Sequence, residues 1–353
     1  MILLTTLFES IKKEHGKTKC KITAIGNEEA ADILFNNPYI DDFILSDKFD
    51  PKGTFDEVIN TDISNVLFPS SMYRSSYHYY DVAEKYFGYK LRKYDPFLYH
   101  TKEEKDFIGD FVKEKDKPIV VIHTTNVKKQ PNGKALTQEF WNELIHDNPN
   151  LLFAQLGTKD KTLRGDADMN LTVQKNYLDC RGNFTIRQSA LLLKHSLFHI
   201  TIDSVIQHLS LWAQKPGIVI FGSSSPAMCG HKHNTNIWDE RECSPCVDNI
   251  RNQNCCQTRG INHVSVAEIN KLIRKNFLMA NKEKQSILGG KSKSEIIEMI
   301  DQGMLYLTDE DLDAFHHKIS MIQIRRQQVQ KETYSKLDML DKLNEIDDPV
   351  RGI

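Results

Sequence analysis

The residues best suited to chemistry form one short run, Ile200-Thr201-Ile202-Asp203-Ser204-Val205-Ile206-Gln207-His208. A strand ending at Asp203 and a helix beginning at Ser204 would offer free backbone N–H groups and the positive end of a helix dipole to a ligand. Ser204 and His208 are about one turn apart and share a helix face. The pattern predicts binding of a pyrophosphate. The plainer alternative makes Ser204 a helix cap and His208 an interior histidine.

Two more segments follow apolar runs and carry side chains that suit a nucleotide. Thr124 and Thr125 come directly after one run, and Lys134 follows in the same loop, so that two hydroxyls and a cation could hold phosphate oxygens. Asp160 follows the next run, where a carboxylate could accept hydrogen bonds from a ribose. Because ligands bind beyond the carboxyl ends of parallel strands, the three segments together predict nucleotide binding.

An aromatic and polar stretch over 72–81 contains Tyr77, His78 and Tyr80. Loops of this kind carry recognition more often than packing, and aromatic rings stack on sugars. The three residues are therefore candidates for binding an acceptor, and packing between domains is the alternative.

Five of the seven cysteines lie between residues 229 and 256. Cys243, Cys246 and Cys255 have spacings that could bind zinc, with a histidine as a further ligand. The adjacent pair Cys255-Cys256 makes four-cysteine ligation of one ion difficult. Free or structural thiols in a reducing cytoplasm are the alternative.

The elements that would position these residues alternate between helix and strand, which predicts an α/β fold. In the first hundred residues, helices are predicted over 3–15, 28–35 and 79–87, and strands over 20–25, 43–45 and 58–59. A charged helix over 101–117 follows. Further strands are predicted over 118–122, 151–156, 197–202 and 217–221, and further helices over 137–146, 185–195, 204–213 and 264–278. Continuous apolar strands separated by helices indicate a doubly wound parallel sheet.

The end of the chain has a different composition. Residues 280–294 are rich in Lys, Ser and Gly and predict a linker. Residues 308–346 predict one long helix with apolar residues on a heptad seam. This helix could pack back on the chain as a strap, or it could pair with a second copy and form a homo-oligomer.

Charge and hydropathy exclude some classes of protein. A formal net charge of −2 argues against a general binder of nucleic acid, which would carry a basic face. No apolar run is long enough to span a bilayer, and the opening residues lack the basic region of a signal peptide. We expect a cytoplasmic protein, with peripheral attachment to the inner membrane as an alternative.

The region 118–278 resembles the donor-binding half of the heptosyltransferases, glycosyltransferase family 9. The family's Asp-Thr-Gly-Pro-Met-His, Gly-Lys-Pro, Phe-Gly-Pro-Thr and Cys-x-Pro-Cys stretches are similar to Asp203-Ser204 with His208, Lys215-Pro216, Phe221-Gly222-Ser223 and Cys243-Ser244-Pro245-Cys246. Leu178-Asp179-Cys180-Arg181-Gly182 and the loop from His123 to Lys134 also match family blocks.

The resemblance implies a GT-B fold, in which two Rossmann-like domains face a cleft. The domains would be 1–105 on the acceptor side, apparently without a first strand, and 118–280 for the nucleotide sugar, followed by a helical extension over 281–353. It also implies an inverting transfer that needs no metal or other cofactor, from a nucleoside-diphosphate sugar, with an ADP-sugar favoured. Donor binding would fall to Thr124, Thr125, Lys134, Asp160, Asp203, Ser204 and His208.

The chain departs from the family at its start. The family begins with a strand and a Gly-Asp pair whose aspartate is the expected general base, whereas Met1 to Leu7 aligns with the helix after that pair. Either the start of the chain is too late, or Asp62 or Asp81 substitutes as the base, or the protein has lost catalysis.

We therefore expect a glycosyltransferase that moves a sugar, such as a heptose, from a nucleoside diphosphate to a glycan. A transferase acting on a nucleic-acid base or a protein is one alternative. A non-catalytic GT-B scaffold that assembles through its terminal helix is the other.

Overall fold

The computed structural model describes residues 2–16, 19–50, 55–61, 78–93, 95–124, 136–159, 169–222, 224–238 and 264–275. All of them belong to one compact unit, Met1–Gly289. The predicted linker and long helix beyond residue 280 lie outside the described residues. The proposed boundary between 105 and 118 stays a prediction.

The first hundred residues contain a small parallel sheet with helices around it. After a 3-10 turn, Ile2–Leu4, the elements are α1 (Leu7–His15), β1 (Thr23–Gly26), α2 (Glu28–Leu34), β2 (Asp42–Leu45), a 3-10 turn (Ser46–Lys48) and α3 (Tyr79–Phe87). Strands β1 and β2 pair in parallel. The Asn27 side chain caps α2, and Gly26 allows this helix to pack closely, because a Cβ there would lie 2.7 Å from the Cβ of Ala30.

A second and larger series of strands and helices begins with α4 (Lys102–Lys113). This helix opens with a capping box between Thr101 and Glu104. The elements that follow are β3 (Ile119–His123), α5 (Gln138–His146), β4 (Leu152–Gln155), β5 (Tyr177–Asp179), α6 (Ile186–His195), β6 (Phe198–Ile202), α7 (Val205–Ala213), β7 (Gly217–Ile220), α8 (Pro226–Cys229), β8 (Thr235–Ile237) and α9 (266–275).

The six strands form one parallel sheet in the order β5-β4-β3-β6-β7-β8. This is the doubly wound order in which the chain leaves the centre first to one side and then to the other. Every residue of β3, β4, β6 and β7 is buried. The predicted doubly wound parallel sheet is therefore confirmed, and its switch point lies between β3 and β6.

Most predicted elements are present, with boundaries shifted by a few residues. The predicted strand over 58–59 was wrong, because no strand occurs there and Val58 is 74% exposed. An apolar pair without a buried environment gains too little to hold a strand. The elements β5, α8 and β8 were missed, since each has only three or four residues and none shows a period.

One cluster of buried apolar side chains runs from the small sheet into the large one. Its members come from both halves of the compact unit and include Ile2, Phe8, Ala24, Ile33, Ile108, Val121, Ala154, Leu191, Ile206 and Leu209. The first hundred residues therefore share a core with the large sheet and its helices.

A buried ion pair ties α2, α4 and α6 together. Arg187 donates to Oε1 of Glu104 at 2.7 and 3.1 Å, and to the carbonyl of Asp32 at 3.0 Å. Its guanidinium lies 4.2 Å from the ring centroid of Phe35. The Arg187 and Glu104 side chains are each 11% exposed, so the charges depend on each other rather than on water.

A second arginine holds the carboxyl end of β5. Arg181 is 4% exposed and binds both oxygens of Asp179 at 2.9 Å. It also donates to the carbonyl of Met169 at 3.0 Å and to Oδ1 of Asn170 at 2.8 Å. Lys159, after β4, lies 3.2 Å from Asp179. The hydrogen bonds from Arg181 hold the pKa of Asp179 at about 2.

Replacing Arg187 should destabilise the protein strongly. In R187M the Glu104 carboxylate stays buried without its partner, which costs about 3–5 kcal/mol of unfolding free energy. K113M is the matched control, because Lys113 is 78% exposed in its pair with Asp110 and should cost less than about 1 kcal/mol. Urea unfolding at neutral pH measures both. Equal losses for the two variants would show that the buried pair does not hold the helices together.

The pair of Asp179 and Arg181 should make stability depend on acid pH. The pKa of Asp179 is lowered from 3.8 to about 2, so the stabilisation is complete above the ordinary value and is lost as the pH falls towards 2. The unfolding temperature of D179N should therefore lie below that of the wild type at neutral pH and approach it between pH 4 and pH 2. The exposed D110N serves as the control. A D179N deficit that is constant over this range would contradict the assignment.

Candidate functional site

The carboxyl ends of β3 and β6 lie side by side at the switch point of the large sheet. His123 is the register partner of Thr201, so the segments that follow, Thr124 from β3 and Asp203-Ser204 from β6, leave the sheet at the same edge. In doubly wound sheets the ligand crevice forms at this place because the flanking connections run to opposite faces. Two of the three predicted nucleotide-binding segments are thus brought together.

Ser204 leaves the first turn of α7 without a side-chain cap. It stands at the N-cap position of the helix, but its hydroxyl pairs with the hydroxyl of Thr201 at 2.9 Å, and it makes no capping hydrogen bond. The N–H groups at the start of α7 are therefore not taken up by this side chain, and a helix N-terminus of this kind favours an anion. Val205 is 43% exposed at the first helical position.

Asp203 acts as an anchor. It is 6% exposed, and its carboxylate accepts hydrogen bonds from Nε2 of Gln207 and from Oγ of Ser224, the latter at 2.5 Å. These contacts join the end of β6 to the first turn of α7 and to the segment after β7. In this structure the carboxylate therefore fixes the shape of the edge.

Thr124 is also held within the protein. It is completely buried, and its hydroxyl accepts from Nε2 of Gln155 at 2.9 Å. The same Gln155 nitrogen donates to the carbonyl of Met169, and the hydroxyl of Tyr177 donates to Oε1 of Gln155 at 2.5 Å. Burial and the charge of Asp179 raise the pKa of Tyr177 to about 12, which keeps it a donor. This network ties the carboxyl ends of β3 and β4 to the first residue of β5.

His208 is the fourth residue of α7. It belongs to a group that we call the histidine cluster: His78, His208, His231 and His233. Nδ1 of His208 lies 2.8 Å from Nε2 of His231. Around His231, the ring centroids of His208, His78 and His233 lie at 5.0, 5.8 and 6.0 Å. His231 is completely buried and is the centre of the cluster. His208 is half-buried, and both the predicted phosphate contact and the alternative of a satisfied interior histidine stay predictions.

The predicted acceptor residues differ in their surroundings. His78 caps α3, with Nδ1 accepting from the Tyr80 N–H at 3.3 Å, and its Nε2 lies 3.0 Å from the carbonyl of Gly230. Burial lowers the pKa of His78, which is consistent with a neutral ring that carries its proton on Nε2. Tyr80 is 1% exposed and packs in the core with Leu4 and Leu7, so its ring has no surface for a sugar here.

Asp81, one of the two suggested bases, is engaged with a lysine. Nζ of Lys93 lies 2.6 Å from Asp81 and 3.1 Å from Glu84. The hydrogen bond from Lys93 lowers the pKa of Asp81. A carboxylate that is stabilised in this way is a weaker proton acceptor.

Several predicted site residues lie outside the described residues and stay predictions: Asp62, Tyr77, Thr125, Lys134, Asp160, Cys243, Cys246 and Cys255. Within the described part of the chain, no group of three or more His, Cys, Asp or Glu side chains has an arrangement that could hold a metal ion. No helix in that same part has the length and apolar character needed to cross a bilayer.

Sequence reasoning missed the residues that anchor the edge. Gln155 was visible as the polar residue in an otherwise apolar strand, and Asp179 and Arg181 stood in a motif that received no role. His231 had no local signal, because its contacts come from residues far away in the chain.

Comparisons with known proteins agree with this architecture. The model of glycosyltransferase family 9 (heptosyltransferase) matches residues 76–256. A family 9 glycosyltransferase from Veillonella parvula superposes with a TM-score of 0.55 at 15% identity, over 79% of this chain and 94% of that one. The E. coli ADP-heptose LPS heptosyltransferase II gives 0.53 at 12% identity, over 79% and 95%.

A third solved structure is that of TibC of enterotoxigenic E. coli, a dodecameric iron-containing heptosyltransferase in complex with ADP-D-β-D-heptose. Its TM-score is 0.55 at 17% identity, over 79% of this chain and 74% of that chain. No curated protein gave a sequence match. At these identities the solved structures establish the fold, which is that of the GT-B heptosyltransferases.

The family model covers just over half of the 353 residues, including the switch point and the histidine cluster. The predicted resemblance is confirmed, and the chain belongs to glycosyltransferase family 9, the family of the heptosyltransferases.

Proposed function

We propose that this glycosyltransferase moves a sugar from a nucleoside diphosphate to a glycan acceptor, with inversion and without a metal ion in the transfer step. The observation that carries the proposal is the start of α7. An N-terminus not capped by its own serine lies at the switch point of the sheet, and His208 follows about one turn later. Backbone N–H groups, the helix dipole and an imidazole suit a pyrophosphate.

In this proposal the remaining donor contacts come from the neighbouring strand ends. Thr125 and Lys134 follow the buried Thr124 and would meet the phosphates. Asp160 follows β4 and would accept from the ribose. The hydrogen bond that Thr124 accepts from Gln155 supports the proposal, since it holds the start of the phosphate loop at the same edge as α7.

The chemical task of these groups would be to stabilise the departing nucleoside diphosphate. As the bond to the sugar breaks, negative charge grows on the diphosphate, and donors that are already in place lower the barrier without reorganising. An ADP-sugar is the favoured donor, since TibC binds ADP-D-β-D-heptose and heptosyltransferase II is named for ADP-heptose. A heptose is thus the first sugar to test.

In this proposal the general base is Asp62 or Asp81. Asp81 is paired with Lys93, whereas Asp62 lies outside the described residues. This weak position of Asp81 favours a second candidate function, a GT-B scaffold that binds a nucleotide sugar without transferring it. TibC is dodecameric and iron-containing. We accordingly propose self-association through 308–346 and keep Cys243, Cys246 and Cys255 as candidate metal ligands.

Nucleotide binding should depend on Lys134. We expect calorimetry to show micromolar binding of ADP in preference to UDP and GDP. K134A should weaken it roughly tenfold to a hundredfold, because a charged hydrogen bond to phosphate is lost. K113A removes the same charge from an exposed position on α4 and should change nothing. If none of the three nucleotides binds at millimolar concentration, the donor site is absent.

Turnover should separate the transferase from the scaffold. With ADP-heptose as donor, release of ADP is followed for the wild type, D62N and D81N. Loss of a general base lowers the rate by roughly 10²–10⁴-fold, and we expect this for D62N rather than for D81N, since the Lys93 pair makes Asp81 a poor base. A wild type that binds ADP but neither hydrolyses nor transfers the sugar would support the scaffold.

A further inference from the structure

The hydrogen bond between His208 and His231 indicates a role for His231 at the donor site. This role rests on the proposed function. We propose that His231 is a positioning residue, which occupies Nδ1 of His208 so that Nε2 of His208 carries a proton and donates to a donor phosphate. His231 itself would not touch the ligand.

The position of His231 is set by its backbone. Gly230, just before it, donates its N–H to the carbonyl of Pro226 at 2.8 Å, and a Cβ on this glycine would lie 2.6 Å from the same carbonyl oxygen. The carbonyl of His231 accepts from the N–H of Asn234 at 3.0 Å and from Nδ2 of Asn236 at 3.2 Å. Hydrogen bonds before and after His231 therefore fix the backbone that carries its ring.

The surroundings of His231 keep its ring neutral. Burial lowers its pKa far below the ordinary value, and the neighbouring rings of His208, His78, His233 and His199 lower it further. A neutral imidazole has one nitrogen that donates and one that accepts. His231 can consequently serve the bond to His208 in either direction.

Two proton arrangements of the hydrogen bond between His208 and His231 leave a proton on Nε2 of His208, and a nearby anion favours both. If Nε2 of His231 donates, a neutral His208 must carry its own proton on Nε2. If His208 donates through Nδ1, its Nε2 carries a proton only in the imidazolium form, which an adjacent phosphate favours. In each case His231 supplies the partner for Nδ1, just as a second residue fixes the tautomer of many functional histidines.

The test compares two replacements of His231. H231F keeps a ring packed against His78 and His233 but cannot hydrogen bond, and it should weaken ADP binding about tenfold, which corresponds to one charge-assisted hydrogen bond. H231Q can donate or accept and should restore most of the affinity. Calorimetry measures ADP binding, and ligand-observed NMR measures adenosine, whose binding should not change because it has no phosphate.

Two controls separate this role from simple packing. H233F alters another ring of the cluster, one whose Nε2 lies 3.0 Å from Oγ of Ser210, and it should bind ADP like the wild type. The double variant H208F/H231F should be no weaker than H208F alone, because both changes remove the same donor. Additive losses, or equal losses of ADP and adenosine, would overturn the proposal.

A measurement on the wild type covers the case in which H231F does not fold. Ring ¹⁵N NMR of the ADP complex should show a protonated Nε2 on His208, with H208F identifying the signal. An unprotonated Nε2 would overturn the role of His231 and leave the proposed function standing, whereas a wild type that binds no nucleoside diphosphate would remove both.

Discussion

Burial of the parallel strands on both faces is the constraint on which the rest of the structure depends. Every residue of β3, β4, β6 and β7 is buried, and most of their side chains are apolar and pack against helices or other segments on either side. Polar chemistry must then lie beyond the strand ends. Because parallel strands all end at one edge, the polar groups that follow them are gathered there.

The carboxyl edge of the sheet needs its own hydrogen bonds, since loops that leave a buried sheet carry polar groups that need partners. Gln155 bonds to Thr124 after β3 and to Tyr177 at the start of β5, and Asp203 joins β6 to α7 and to Ser224. Two of the residues that resemble the family's donor-binding motif are thus used, in this structure, to shape the site. In the proposed function, direct contact with a phosphate falls to backbone N–H groups and to side chains such as His208.

Polar contacts supplement the shared apolar core that joins the first hundred residues to the large sheet, and two places show this. At one, Arg187 brings α2, α4 and α6 together through a pair that is costly to break. At the other, His78 contacts Gly230 and His231, next to the proposed donor histidine. A residue of the proposed acceptor side, His78, therefore lies against His231, the residue proposed to position His208.

The sequence by itself determined most of the local helices and strands and where they begin and end. Apolar runs identified β3, β4, β6 and β7. The helices predicted over 137–146 and 185–195 each begin at a threonine whose hydroxyl accepts from the N–H group three residues later. The strand-to-helix step at Asp203 and Ser204 was equally local. The three-residue strands β5 and β8 had too little periodic pattern to be found.

Only the tertiary structure decided which strand ends are neighbours and where the side chains at those ends point. Ser204 turns to Thr201 rather than to its own helix, Thr124 turns to Gln155, and His208 acquires His231 from a segment 23 residues away. Such choices depend on hydrogen-bond partners that are distant in the chain and on desolvation that exists only in the folded protein. For that reason residue types and spacing indicated the edge of the sheet, while the roles of the residues along it required the fold.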